Sequence, residues 1–139
     1  MTLRRGLILL AHGARDPSWA APFEAVAARV RTRAPEAVVR LAFLELMAPA
    51  MEDVGAELAG LGCTRVDVLP VFLGAGGHVR RDVPAQLAQL REAHAGIVWT
   101  LHDALGETPH VIAALADAAV DLAGLGFAPG HHPLDGIAT

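Results

Sequence analysis

The chain has 139 residues, 53% of them hydrophobic and 19% charged, with a formal net charge of -4 at pH 7. That length fits one domain with one core, and an acidic chain whose basic residues form no run or stripe offers little grip on nucleic-acid phosphates. All 11 basic residues are Arg, which excludes lysine-dependent chemistry, and a lone Cys63 excludes an intrachain disulfide, a thiolate zinc cage or a chain-internal iron-sulfur ligand set.

Met1 to Arg5 followed by Gly6 to Ala11 has the outline of a signal peptide, but the apolar stretch is short and ends at polar His12. It reads instead as a first strand, Gly6 to Ala11, of the continuously apolar kind that is buried on both faces of a parallel sheet. No segment is long enough to cross a membrane, and a reducing cytoplasm is the expected compartment. Asp16 can cap the next helix, with Pro17 in its first position and Phe23, Val26, Ala27 and Val30 as a core-facing stripe; Pro35 ends it.

A second strand, Val38 to Glu45, leads through Pro49 to a helix whose predicted buried face is Met51, Val54, Leu58 and Leu61, stopped by Gly62. Strand three, Val66 to Leu73, is followed by the loop Gly74-Ala75-Gly76-Gly77 and a helix carrying Val83, Leu87 and Leu90. Strand four is short, Ile97 to Leu101. The last helix begins near Thr108-Pro109, aligns Val111, Leu115, Ala118 and Leu122, and runs out at Gly124 or Gly126.

Four βα units in strict alternation predict an α/β fold: a flavodoxin-like, four-stranded parallel sheet with helices on both faces, in one domain over residues 1–126. Residues 127–139, rich in Gly and Pro, are expected to form a loose tail, and the pair His131-His132 within it is a weak metal signal. With the doubly wound order 2-1-3-4, strands one and three are neighbours at the switch point where a crevice opens. The high apolar content points to surface that meets a second subunit.

In such a sheet the C-terminal strand ends converge on one edge, and the predicted strands run into His12, Glu45, His78 and His102 there. Gly13 lets the backbone turn sharply after His12 and leaves the imidazole facing the crevice. His78 follows Gly76 and Gly77, small enough to let the backbone approach a bulky ligand. A phosphate cradle is disfavoured at this loop, which lacks the Lys-Ser/Thr pair and a third glycine opening a helix. Glu45 closes an apolar stretch, so partial burial is expected to raise its pKa and suit it to accepting a proton.

His102, Asp103 and His110 are further candidates on the same side, whereas His94 is explained by its helix C-terminus and Cys63 as a small core residue. Arg15, Arg80 and Arg81 flank the two principal histidines, which suits a substrate bearing several carboxylates.

These residues resemble the small class II tetrapyrrole chelatases, the CbiX/SirB group that inserts cobalt or iron into sirohydrochlorin. The likeness rests on Leu10-Ala11-His12-Gly13-Ala14-Arg15-Asp16, on Phe43-Leu44-Glu45 with Pro49 shortly after, and on Leu69-Pro70-Val71-Phe72-Leu73 leading through Gly77-His78 to Asp82-Val83-Pro84. The resemblance implies that His12 and His78 hold the incoming Co²⁺ or Fe²⁺ and that Glu45 assists, with Arg15, Gly76, Gly77 and Arg80 against the tetrapyrrole.

It also implies metal as substrate, no ATP or organic cofactor, and a homodimer. A nonenzymatic metal or tetrapyrrole carrier using the same pocket is the alternative. A histidine phosphatase is disfavoured by Ala11, where such a motif places arginine, and a serine hydrolase by Ser18, the sole serine, which lacks the flanking elbow glycines.

Overall fold

The computed structural model describes residues 3–126. Four strands, β1 (Arg4–Ala11), β2 (Val38–Phe43), β3 (Cys63–Pro70) and β4 (Val98–Leu101), pair in parallel in the order β2-β1-β3-β4. The expected 2-1-3-4 order is therefore the one found, and β1 and β3 are adjacent. Four helices connect them: α1 (Ala21–Arg33), α2 (Met51–Gly60), α3 (Gly77–Ala93) and α4 (Pro109–Ala123). The expected tail, with its His131-His132 pair, lies outside the described residues.

Side chains alternate across the strands and build two apolar layers. Ile8, Leu10, Val66, Val68 and Trp99 point to one face, where Met51, Val54 and Leu58 of α2 and Val83, Leu87 and Leu90 of α3 close over them. On the other face Leu9 and Val39 pack with Ala27 of α1. Burying β1 on both sides explains its unbroken apolar run, since Ile8, Leu9 and Leu10 are all at most 1% exposed.

Several local expectations are corrected by the packing. Asp16 does cap a helix, but a short 3-10 helix, Pro17–Ala20, that precedes α1; its side chain accepts from the Ser18 amide. Val26 is 42% exposed and so sits at the rim of the α1 stripe, and Leu61, 37% exposed, lies past the end of α2. Strand β3 begins earlier than expected and ends at Pro70, not Leu73, where a proline nitrogen has no hydrogen to give the ladder. The Val71 amide still donates to the Leu10 carbonyl at 2.8 Å, and the chain leaves the sheet after it.

The largest departure concerns α4. Gly124 in the left-handed conformation ends it where the sequence indicated, yet no residue of the helix is buried: Ile112 is 53% exposed, Leu115 49% and Leu122 83%. Its apolar stripe, regular in period, is left largely open to solvent apart from Val111, which lines a hollow with Trp19 and Phe23. On the face that α1 covers, Val98 of β4 remains 62% exposed.

Candidate active site

β1 and β2 run in register from Gly6–Val38 to Ala11–Phe43, and their pairing continues past both strand ends: the Leu44 amide donates to the Ala11 carbonyl at 2.9 Å and the Glu45 amide to the His12 carbonyl at 3.1 Å. This extension carries two residues 33 positions apart to one place. His12 Nε2 stands 2.9 Å from Glu45 Oε1. Gly13 makes the approach possible: at φ +104° it adopts a conformation side chains disfavour, and a Cβ there would lie 1.8 Å from the Glu45 carbonyl oxygen. After Glu45 the chain turns sharply through Leu46, whose φ of 65° is the one positive value at a described residue other than glycine.

Both members of the pair are accessible, with side chains 40% exposed for His12 and 43% for Glu45. The expectation that Glu45 is partly buried is therefore corrected: its apolar neighbours in sequence, Phe43 and Leu44, turn into the core, while the carboxylate at the strand exit turns to solvent. His12 lines a crevice of about 460 Å³ whose other walls include Trp19, Phe23, Val71, Phe72 and Leu105. The Phe72 ring meets the His12 imidazole edge-on, 6.0 Å between centroids and 63° between planes. Apolar walls around an imidazole that is itself paired with a carboxylate can receive a flat, largely apolar ligand while leaving donor atoms for a cation.

Phe72 also belongs to a smaller crevice of about 190 Å³ shared with Val79, Arg80, Leu101, His102 and Glu107. His78 does not terminate a strand as expected. It is the second residue of α3, whose N-cap is Gly76 and first residue Gly77, and this helix begins seven residues after β3 ends. Added Cβ atoms at Gly76 and Gly77 would meet nothing, so the backbone there faces open space.

Arg15 is exposed. Arg80 is held, donating through Nε to the Ala75 carbonyl at 2.8 Å and pairing with Glu107 at 3.6 Å. Among the described residues no three His, Cys, Asp or Glu side chains converge to hold a metal.

His102 follows β4 directly but is drawn elsewhere. Its Nε2 stands 2.8 Å from Asp67 Oδ1, while Arg5 donates to Asp67 Oδ2 at 3.0 Å. Burial opposes ionisation of Asp67, but the hydrogen bonds from His102 and Arg5 outweigh it and hold the carboxyl below its ordinary range. This cluster lines a separate hollow with Leu7 and Leu69. Burial pushes the Cys63 thiol up, as befits a core residue at the far edge of the sheet. His94 caps the C-terminal end of α3, and His110 is exposed in the first turn of α4.

Sequence reading missed Phe72, Trp19 and Phe23 as crevice walls, and Asp67 as the partner of His102. A charged residue set among Val66, Val68 and Leu69 in β3 was the available signal for Asp67; nothing in the sequence separated the aromatic residues of the crevice from core residues.

Over residues 6–122 the chain matches the CbiX family. It is 33% identical over 98 residues to the sirohydrochlorin cobaltochelatase of Methanosarcina acetivorans, covering 70% of this chain and 75% of that protein. The corresponding protein of Methanococcoides burtonii is 29% identical over 96 residues, with 69% and 73% covered. Among solved structures, a CbiX protein from Marinobacter aquaeolei VT8 superposes with a TM-score of 0.75 at 32% identity, over 86% of this chain and 97% of that one.

The sirohydrochlorin chelatase SirB of Bacillus subtilis, solved in complex with cobalt, shares the fold at 21% identity and a TM-score of 0.75; this chain spans 52% of its length. The order of the strands, the crevice at their C-terminal edge and these matches together make the chain a member of the CbiX family.

Proposed function

We propose that this protein is a chelatase that inserts Co²⁺ or Fe²⁺ into sirohydrochlorin, in cobalamin or sirohaem synthesis. The observation that carries the proposal is His12, lining an apolar crevice in a CbiX-family fold and paired at 2.9 Å with an accessible Glu45. The crevice walls take the ring face of the macrocycle. A neutral imidazole binds either metal well enough to displace some of its water, and a site with few protein ligands leaves coordination positions for the pyrrole nitrogens. His78, on the first turn of α3, is the proposed second ligand.

Insertion exchanges one divalent ion for two protons from the pyrrole nitrogens; Glu45, beside His12, takes up one as the metal leaves, and the freed imidazole takes the other. Arg15, exposed beside the crevice strand, is proposed to meet a carboxylate arm of the macrocycle; Arg80 can do the same on release from Glu107. The open backbone at Gly76 and Gly77 leaves room for the ring edge. Neither ATP nor an organic cofactor enters this scheme, because metal and macrocycle are both substrates.

The proposed assembly is a homodimer. An unburied helix carrying Ile112, Leu115 and Leu122 supports it, since a stripe of that length gains by leaving water. Cytoplasmic location is proposed on the free, buried Cys63; no helix among the described residues is long and apolar enough to cross a membrane.

The deciding experiment mixes purified protein, sirohydrochlorin and Co²⁺ or Fe²⁺ and follows the tetrapyrrole absorption. A rate above that of metal alone, lost in His12→Ala, supports the chelatase. Tight binding of metal or macrocycle with no acceleration makes the protein a carrier instead.

A further inference from the structure

The Val71 amide makes a last bond to the Leu10 carbonyl of β1 at 2.8 Å, so the ladder ends one residue short of Phe72, whose ring lies against the His12 imidazole. What holds it comes from the other side. The turn Leu105–Glu107 lies flush on this segment: the Gly106 amide donates to the Phe72 carbonyl at 2.8 Å, and a Cβ at Gly106 would stand 2.0 Å from the Leu73 carbonyl oxygen and 2.2 Å from its Cα. Any side chain at 106 must push the two segments apart. Arg80, pairing with Glu107 and donating to the Ala75 carbonyl, ties the next stretch of the same loop to the same turn.

We propose that Phe72, backed by Gly106, is a positioning residue that fixes the His12 imidazole for metal capture. The proposal rests on the metal-handling role assigned to His12. Glu45 holds Nε2 of the ring from one side, which leaves rotation of the imidazole open on the other. An aromatic edge there closes that freedom at a geometry favourable for two rings, and a ligand whose orientation is already fixed loses less entropy when the ion arrives.

Calorimetric titration of the protein with Co²⁺ alone, without tetrapyrrole, tests it. Phe72→Leu is expected to weaken Co²⁺ binding about tenfold, the scale of lost support behind a metal ligand, and Phe72→Tyr to keep wild-type affinity because the ring remains. Gly106→Ala is expected to lose as much as Phe72→Leu, and the double variant no more than either, because both act through one contact. Wild-type affinity in Phe72→Leu, losses that multiply in the double variant, or a wild-type protein that binds no Co²⁺ would each overturn the proposal. Should Gly106→Ala fail to fold, the Leu and Tyr variants at 72 still decide it. If the expected pattern of affinities is found in a protein that never metallates sirohydrochlorin, the positioning role stands and the chelatase reading falls.

Discussion

His12 Nε2 and Glu45 Oε1 are joined at 2.9 Å by the continuation of a β-ladder beyond its strands. The pair is thus built by backbone hydrogen bonds and not by packing, which is why both side chains stay open to solvent. Glu45→Gln keeps the size of the side chain and removes its capacity to accept a proton. It is expected to lower the rate of metal insertion by about 100-fold, within the usual range for a lost general base, while leaving the thermal melting temperature unchanged. A variant with the wild-type insertion rate removes Glu45 from the proton path.

Gly13→Ala probes the same junction through the backbone. The substitution combines a strained φ of +104° with a Cβ placed 1.8 Å from the Glu45 carbonyl. A loss of about 2 kcal/mol or more in unfolding free energy is expected, measured by urea denaturation, together with loss of metal insertion because the His12–Glu45 spacing must widen. An alanine variant with unchanged stability would show that the two backbones do not touch.

Asp67, which does not line the His12 crevice, gives the protein an acid-sensitive point. Its carboxyl titrates below the unfolded value because His102 and Arg5 favour the ionised form, so its contribution is complete above about pH 4, the ordinary Asp pKa, and fades as pH falls through the lower folded value. Asp67→Asn is expected to cost about 1 kcal/mol at pH 7 and to flatten the decline in stability below pH 4. Denaturation curves at pH 7 and pH 3 check it; an equal loss at both would mean that ionisation of Asp67 is not involved.

The α4 stripe makes a prediction about assembly. Leu115 is 49% exposed in the single chain, so the guanidinium of Leu115→Arg can reach solvent and the subunit fold is expected to survive. Sedimentation equilibrium is expected to give a dimer for the wild-type protein and a monomer for the variant. If both sediment alike, α4 is not the surface on which two copies meet.

Core packing on the α2–α3 face supplies a last measurement. Leu87 is fully buried against the sheet, and Leu87→Ala leaves a cavity worth about 2 to 5 kcal/mol. Chemical denaturation with an unchanged slope checks that only stability moves.

Much of this architecture was legible because it follows from period and punctuation. The unbroken run Gly6 to Ala11 could only be a strand buried on both sides, and the alternation of such runs with helical stripes ended by Gly62 and Gly124 required parallel pairing. His12 and Glu45 could be placed at one edge, since each follows a strand closely. Other features were hidden. Phe72 read as one more strand residue because the apolar run continues through Val71 to Leu73 past the proline at which the strand ends. Glu45 read as half-buried because sequence neighbours report hydrophobicity but not the direction in which a strand exit turns. The α4 stripe read as core-facing because its period is that of a buried helix, whatever it is buried against.

Apolar periodicity and glycine or proline stops act over a few residues, and they were enough to set the elements, their parallel pairing and the edge that carries the chemistry. Tertiary structure alone decided that His12 meets Glu45 and Phe72, that His102 is claimed by Asp67, and that α4 is left uncovered by its own chain. Those outcomes depend on contacts across tens of residues, and their energies come from strand register, close backbone approach at Gly13 and Gly106, and the competition among faces for a limited set of helices.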